Sequence, residues 1–169
     1  ILSDSVGFNR VAELCDTFGP RLSGSDNLEK AILWIIQEMK KDGIENVRSE
    51  EVMVPKWVRG EESAKMVKPW SKNLAMLGLG GSIGTKSNGI TAKVIAVSNF
   101  EELANRSNEV KGKIVLFNVP FDTYSNTVKY RVRGAIEASK HGAVASLVRS
   151  VGTFSMNTPH TGNSSYEDG

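Results

Sequence analysis

The stretch Val110-Lys-Gly-Lys-Ile-Val-Leu-Phe117 decides the fold. A charged turn, Lys111 to Lys113, feeds a short apolar run that reads as a buried strand. Downstream, Arg133-Gly-Ala-Ile-Glu-Ala-Ser-Lys-His141 reads as an amphipathic helix of small residues, closed at Gly142. Ala143-Val-Ala-Ser-Leu-Val148 then reads as the next strand. Strand, helix and strand make a β-α-β unit, and the predicted fold class is mixed α/β.

Working outward, Ile90 to Val97 alternates well enough for a strand, and Phe100 to Ala104 forms a helical turn. Leu74 to Leu79 has strand character and runs into Gly80-Gly-Ser-Ile-Gly84, read as a glycine-rich hairpin connection. Val47 to Val54 is a further predicted strand, closed by Pro55. Between Lys56 and Lys72 the pattern breaks down, marking a crossing from one folding unit to another. Near the start, Val6, Val11, Leu14 and Phe18 give a helical stripe that stops at Gly19-Pro20. A second helix follows, with Asp26 as its cap and Glu29 in capping-box spacing. Leu28, Ile32, Ile35, Ile36 and Met39 form its apolar face, Lys40 and Lys41 suit its negative end, and Gly43 supplies the left-handed stop.

A chain of 169 residues can bury one good core or a little more. With 40% hydrophobic and 24% charged residues it has the composition of an ordinary globular protein. A net charge of +2, spread along the chain, gives no case for nucleic-acid binding. No apolar run approaches the roughly 20 residues that a membrane helix needs. Cys15 is the single cysteine, so no intrachain disulfide can form, which leans toward a reducing compartment. Against that stand two N-glycosylation acceptors, Asn105-Arg-Ser107 and Asn163-Ser-Ser165. The beginning at Ile1 reads as processed or trimmed, and the turn-rich residues after Val151 read as a loop that more protein followed.

The common catalytic signatures are missing. The run Gly78-Leu-Gly-Gly-Ser-Ile-Gly84 is followed by another turn rather than a helix, and Thr85 spoils the phosphate-loop spacing at Lys86-Ser87. Only His141 and His160 are available as imidazoles, and neither belongs to a spaced metal-ligand cluster. His141 fits a helix C-terminus, where it favours the dipole. His160, in Thr158-Pro-His-Thr-Gly162, lies in a loop and is a candidate active-site neighbour. There is no Gly-x-Ser-x-Gly elbow, and Cys15 falls inside a helical pattern, where a buried and inert thiol is expected. The helix read as starting near Asn126 carries Lys129, Arg131 and Arg133 early, against its dipole. One reading is a solvated face; the other is an anion site suited to a carboxylate, with Arg131 as the chosen residue. Lys129 and Arg133 share a face four residues apart, and Arg131 points elsewhere.

Taken in order, Thr17 to Ser25, Arg59 to Ala64, Ala75 to Thr85, Val110 to Phe117, Gly142 to Ser150 and Thr158 to Gly162 resemble the carboxypeptidase Q family of dizinc exopeptidases. The likeness runs from about Val11 to Gly169. It implies that residues 1–56 are an incomplete N-terminal part of a peptidase domain. Residues 57–169 would then be an inserted protease-associated domain with its exit loop. It also implies a secreted or lysosomal, homodimeric enzyme that hydrolyses short peptides with two zinc ions, whose ligands and catalytic residues lie downstream of this segment. No metal or catalytic residue carries over onto this chain. In a related glutamate carboxypeptidase a helix arginine reaches the substrate carboxylate, and the resemblance places that role on Arg131. The competing expectation is a free-standing protease-associated module that binds without catalysis, although the first two helices have an apolar face that such a module would not need.

Overall fold

In the computed structural model the described residues are 4–154 and 156–167. The chain forms two compact units, Ile1–Val58 and Arg59–Gly169.

The first unit holds two helices, α1 (Val6–Phe18) and α2 (Asp26–Lys41). Asp4 starts α1 by accepting the backbone N–H of Val6 at 2.7 Å. The cap of α2 is Ser25, not Asp26: its hydroxyl accepts the Leu28 N–H at 3.2 Å, while Asp26 already has helical geometry. The helix ends as expected at Gly43, whose φ of 78° lets its N–H reach Lys40 O while Ile44 N–H reaches Met39 O. This pair of bonds is a Schellman closure. Phe18 and Trp34 meet with ring centroids 5.8 Å apart, and Trp34 Nε1 donates to Glu13. Arg10 forks onto both carboxylate oxygens of Asp42 at 2.6 Å. Cys15 is exposed, contrary to the expectation of a buried thiol. Residues 47–54 form no strand, because among the described residues no segment pairs with them.

The second unit is built on two sheets. Strands β1 (Ala64–Met66) and β2 (Lys72–Leu74) pair antiparallel. The other sheet contains β3 (Val94–Val97), β4 (Ile114–Phe117) and β5 (Ala145–Val148), all parallel and in the order β3-β4-β5. Helix α3 (Phe100–Asn105) and a short 3-10 turn (Ser107–Glu109) connect β3 to β4, and α4 (Tyr124–Lys140) connects β4 to β5. The sequence therefore identifies the β-α-β core, while three boundaries move. Strand character in 74–79 is confined to Leu74, the predicted strand 90–97 shortens to β3, and α4 starts at Tyr124, two residues before Asn126. The run 78–84 makes no hairpin either: Gly80 forms a parallel bridge to Asn163.

Alternation along the strands explains the core. Ile95, Val97, Val115 and Phe117 are buried at every second position, as a half-covered sheet requires. They meet Leu103, Val110, Tyr130 and Ala138 from the connecting segments. Phe100 stands edge-on to Phe117 at 5.4 Å and against Tyr130 at 4.6 Å, so both helices converge on the same face. Gly112, with φ of 73°, lets the Lys111–Lys113 turn fold back, and its N–H bonds to Gly142 O. The charged turn thus ties the start of β4 to the end of α4.

Candidate functional site

Helix α4 sets the geometry of the one place where two sequence-selected residues meet. Thr123 caps it, accepting the Asn126 N–H at 3.3 Å. From that start, Lys129, Arg131 and Arg133 fall beyond the first turn, so the expected conflict with the helix dipole does not arise. Tyr130 enters the aromatic core, and the next residue, Arg131, leaves the helix on another side. Lys129 and Arg133 are exposed, whereas Arg131 is only 8% exposed. Arg133 bonds Glu137 at 3.2 Å and Glu167 at 2.9 Å, and Glu137 and then Glu167 raise its pKa above the usual arginine value.

The Arg131 guanidinium lies across the segment 158–162. Nη1 donates to the Thr161 carbonyl at 3.2 Å and stands 3.4 Å from His160 Nδ1. Nη2 donates to the Tyr124 hydroxyl at 3.0 Å, two turns back on the helix, and the guanidinium carbon sits 5.7 Å from the Tyr124 ring centre. Nε is buried without a hydrogen-bond partner. Gly162 closes that side: a Cβ there would stand 2.7 Å from Nε and Nη2 and 2.5 Å from Cζ. Only glycine fits under the guanidinium without displacing it.

His160 is exposed, and three contacts hold it. Its backbone N–H donates to Ser150 Oγ at 3.1 Å, Arg131 lies against Nδ1, and the Tyr124 ring stands edge-on at 6.2 Å. Arg131 and His160, chosen separately from the sequence, therefore come together although they are 29 positions apart. Sequence reasoning missed Tyr124 and Gly162 as their partners. The seven-residue spacing from Tyr124 to Arg131 was a usable signal, because it places both on one helix face.

The rest of the segment is laced to the glycine-rich run. Gly80 donates to Gly162 O at 2.7 Å and accepts from Ser164 N–H at 3.0 Å. Ser165 N–H bonds Val132 O on α4, and Ile83 N–H bonds the Tyr166 hydroxyl. On the far side of the run, Gly78 is held by Glu62 and Arg59. Arg59 donates to its carbonyl at 2.7 Å, while the Gly78 N–H and then Arg59 keep the Glu62 carboxylate pKa below its ordinary value. The two possible glycan acceptors are both exposed. Asn105 ends α3 and Asn163 lies over Gly80. His141 occupies the C-cap of α4, as expected.

Among the described residues no three His, Cys, Asp or Glu side chains gather to hold a metal ion. The residues present therefore do not fit a zinc centre, and no ligand is assigned within this segment. No helix of the described residues is long and apolar enough to cross a membrane.

The fold of this chain is similar to part of a solved peptidase M28 chain. A solved peptidase M28 precursor from Shewanella amazonensis superimposes with a TM-score of 0.89 at 33% identity, covering 99% of this chain and 39% of that one. In sequence the chain resembles carboxypeptidase Q. It is 55% identical to the Homo sapiens protein, 54% to that of Mus musculus and 57% to that of Rattus norvegicus, each over 162 residues. The match takes in 96% of this chain and 34% of each relative, so the chain spans about a third of their length. No protein-family model matches it.

Proposed function

We propose that this chain is the N-terminal portion of a zinc-dependent carboxypeptidase or dipeptidase acting on short peptides, with 57–169 as a protease-associated insertion. The observation that carries the reading is the 54–57% identity to carboxypeptidase Q along 96% of the chain. Agreement with a peptidase M28 structure at a TM-score of 0.89 supports it. In this reading two zinc ions supply Lewis-acid chemistry from ligands outside this segment, and the segment alone is inactive. The segment contributes the Arg131–His160 corner, which faces the carboxylate end of the substrate. The whole protein is secreted or lysosomal, homodimeric, and glycosylated at Asn105 and Asn163.

The test is hydrolysis of unblocked dipeptides by the full-length protein, with and without a zinc chelator. The expected result is turnover that is lost on chelation, restored by added zinc, and absent from the 169-residue chain. Turnover indifferent to chelation would remove the zinc reading. No turnover of any dipeptide would favour a binding module instead.

A further inference from the structure

The two glycan-acceptor triplets present different obstacles to the enzyme that would modify them. N-glycosylation joins the asparagine Nδ2 to the anomeric carbon of an oligosaccharide carried on a lipid diphosphate. The lipid diphosphate leaves, and the amide gives up one proton. The transferase reads the hydroxyl of the third residue together with the amide. It must therefore take three consecutive residues into its groove, with their backbone free of other bonds.

At Asn163 the folded chain withholds that backbone. Gly80 N–H bonds Gly162 O at 2.7 Å, Ser164 N–H bonds Gly80 O at 3.0 Å, and Ser165 N–H bonds Val132 O at 2.9 Å. Asn163 Oδ1 also rests on Gly80, where a Cβ would collide with it. All of these partners lie on other segments, so freeing the triplet means lifting 162–165 from the glycine run and from α4 together. Glu167, bonded to Arg133 at 2.9 Å, fastens the far end. Yet Asn163 itself is exposed, so a sugar attached beforehand has room once the segment has settled.

Asn105 is held differently. It is the last residue of α3, a helix of six residues, and Ser107 opens the 3-10 turn. The backbone bonds across this triplet are local: Arg106 N–H to Glu102 O at 3.1 Å and Val110 N–H to Ser107 O at 3.2 Å. The Arg106 side chain reaches Glu102, Glu109 and the Ala96 carbonyl, none more than 10 positions away. A helix end frays without disturbing the rest of the fold, so this triplet opens in the folded protein.

We propose that Asn163 accepts a glycan only before 162–165 settles on Gly80 and α4. Its occupancy then reports a race between transfer and folding, while Asn105 is modified independently of that step. The proposal rests on the secretory reading given above.

The test expresses the full-length protein through a eukaryotic secretory pathway and reads the occupancy of each site. Enzymatic glycan removal in heavy-oxygen water marks every occupied asparagine for mass spectrometry of the peptides. Total cellular protein is used, so a variant that fails to leave the cell still reports. The parent should be less occupied at Asn163 than at Asn105. Gly80→Ala and Gly162→Ala leave the triplet 163–165 intact but crowd the settled form, against Asn163 Oδ1 and the Arg131 guanidinium respectively. Both should shift Asn163 toward full occupancy with no change at Asn105. Ser25→Ala, which removes the cap of α2 in the other unit, controls for general destabilisation and should leave both sites as in the parent. Complete occupancy of Asn163 in the parent, or an occupancy that neither glycine variant raises, would overturn the proposal. An equal rise in Ser25→Ala would overturn it too, as would glycan at Asn105 with none at Asn163 in any of these proteins. No glycan at either site in any of them would instead defeat the secretory reading, and the proposal would fall with it.

Discussion

Gly134 on α4 and Phe117 on β4 are in contact at the limit of what two residues allow: a Cβ at Gly134 would stand 2.9 Å from the Phe117 ring. Phe117 has no room to retreat, because it is fully buried between Phe100 and Tyr130. A glycine within a helix ordinarily costs about 1 kcal/mol relative to alanine. Here the overpacking outweighs that gain. Gly134→Ala is expected to destabilise the protein by about 1–3 kcal/mol and Gly134→Val by more, read as a fall in the denaturant midpoint. A raised midpoint for the alanine variant would show that the ring yields.

The start of α2 gives a second test. Ser25 supplies the cap and Asp26 does not, although the sequence pattern favours Asp26. Ser25→Ala should cost about 1 kcal/mol of stability, and Asp26→Ala distinctly less. Thermal melting of the two variants side by side checks the order, and equal losses would place the cap elsewhere.

The hold on Gly78 depends on pH. Glu62 has a folded pKa below its unfolded value because the Gly78 N–H, and then Arg59, favour the carboxylate. The sign follows from that depression. The group's stabilisation is complete above the ordinary glutamate pKa and is lost as pH falls through the lower, folded value. As pH falls below the ordinary glutamate range, melting temperature should therefore drop more steeply in the parent protein than in Glu62→Gln. Parallel curves would show that Glu62 contributes nothing there.

The exposed acceptors Asn105 and Asn163 carry the proposal of a secretory route. When the protein is expressed through a eukaryotic secretory pathway, enzymatic removal of N-glycans should lower its mass, and Asn105→Gln and Asn163→Gln should each abolish one step of that change. An unchanged mass in the parent protein would count against glycosylation at both positions.

The features that proved legible in the sequence are those encoded locally. The run 110–117 and the helical stripes carry their own period, and α1, α2 and the β-α-β core follow from them. Residues 47–54, valine-flanked and closed by Pro55, also read as a strand yet form none, because a strand exists only with a partner and the sequence of one segment does not name it. The meeting of Arg131 and His160 was hidden for a related reason. The two residues were individually conspicuous, but 29 positions of chain separate them, and what brings them together is a carbonyl at Thr161 and a missing side chain at Gly162. Neither has a sequence signal beyond an ordinary loop.

The bond between Gly80 and the segment near Asn163 also imposes a timetable. The Gly80 carbonyl waits for Ser164, 84 positions later in the chain. At a synthesis rate of about 5–20 residues per second, that delay is on the order of ten seconds. Throughout it the Gly80 N–H and C=O, which bond Gly162 and Ser164 in the folded chain, are left open to water, to a chaperone or to a stray strand. The parallel sheet can close meanwhile, since β3, β4 and β5 are all made before residue 149. The nascent protein therefore passes through a stage with a finished core and an open latch.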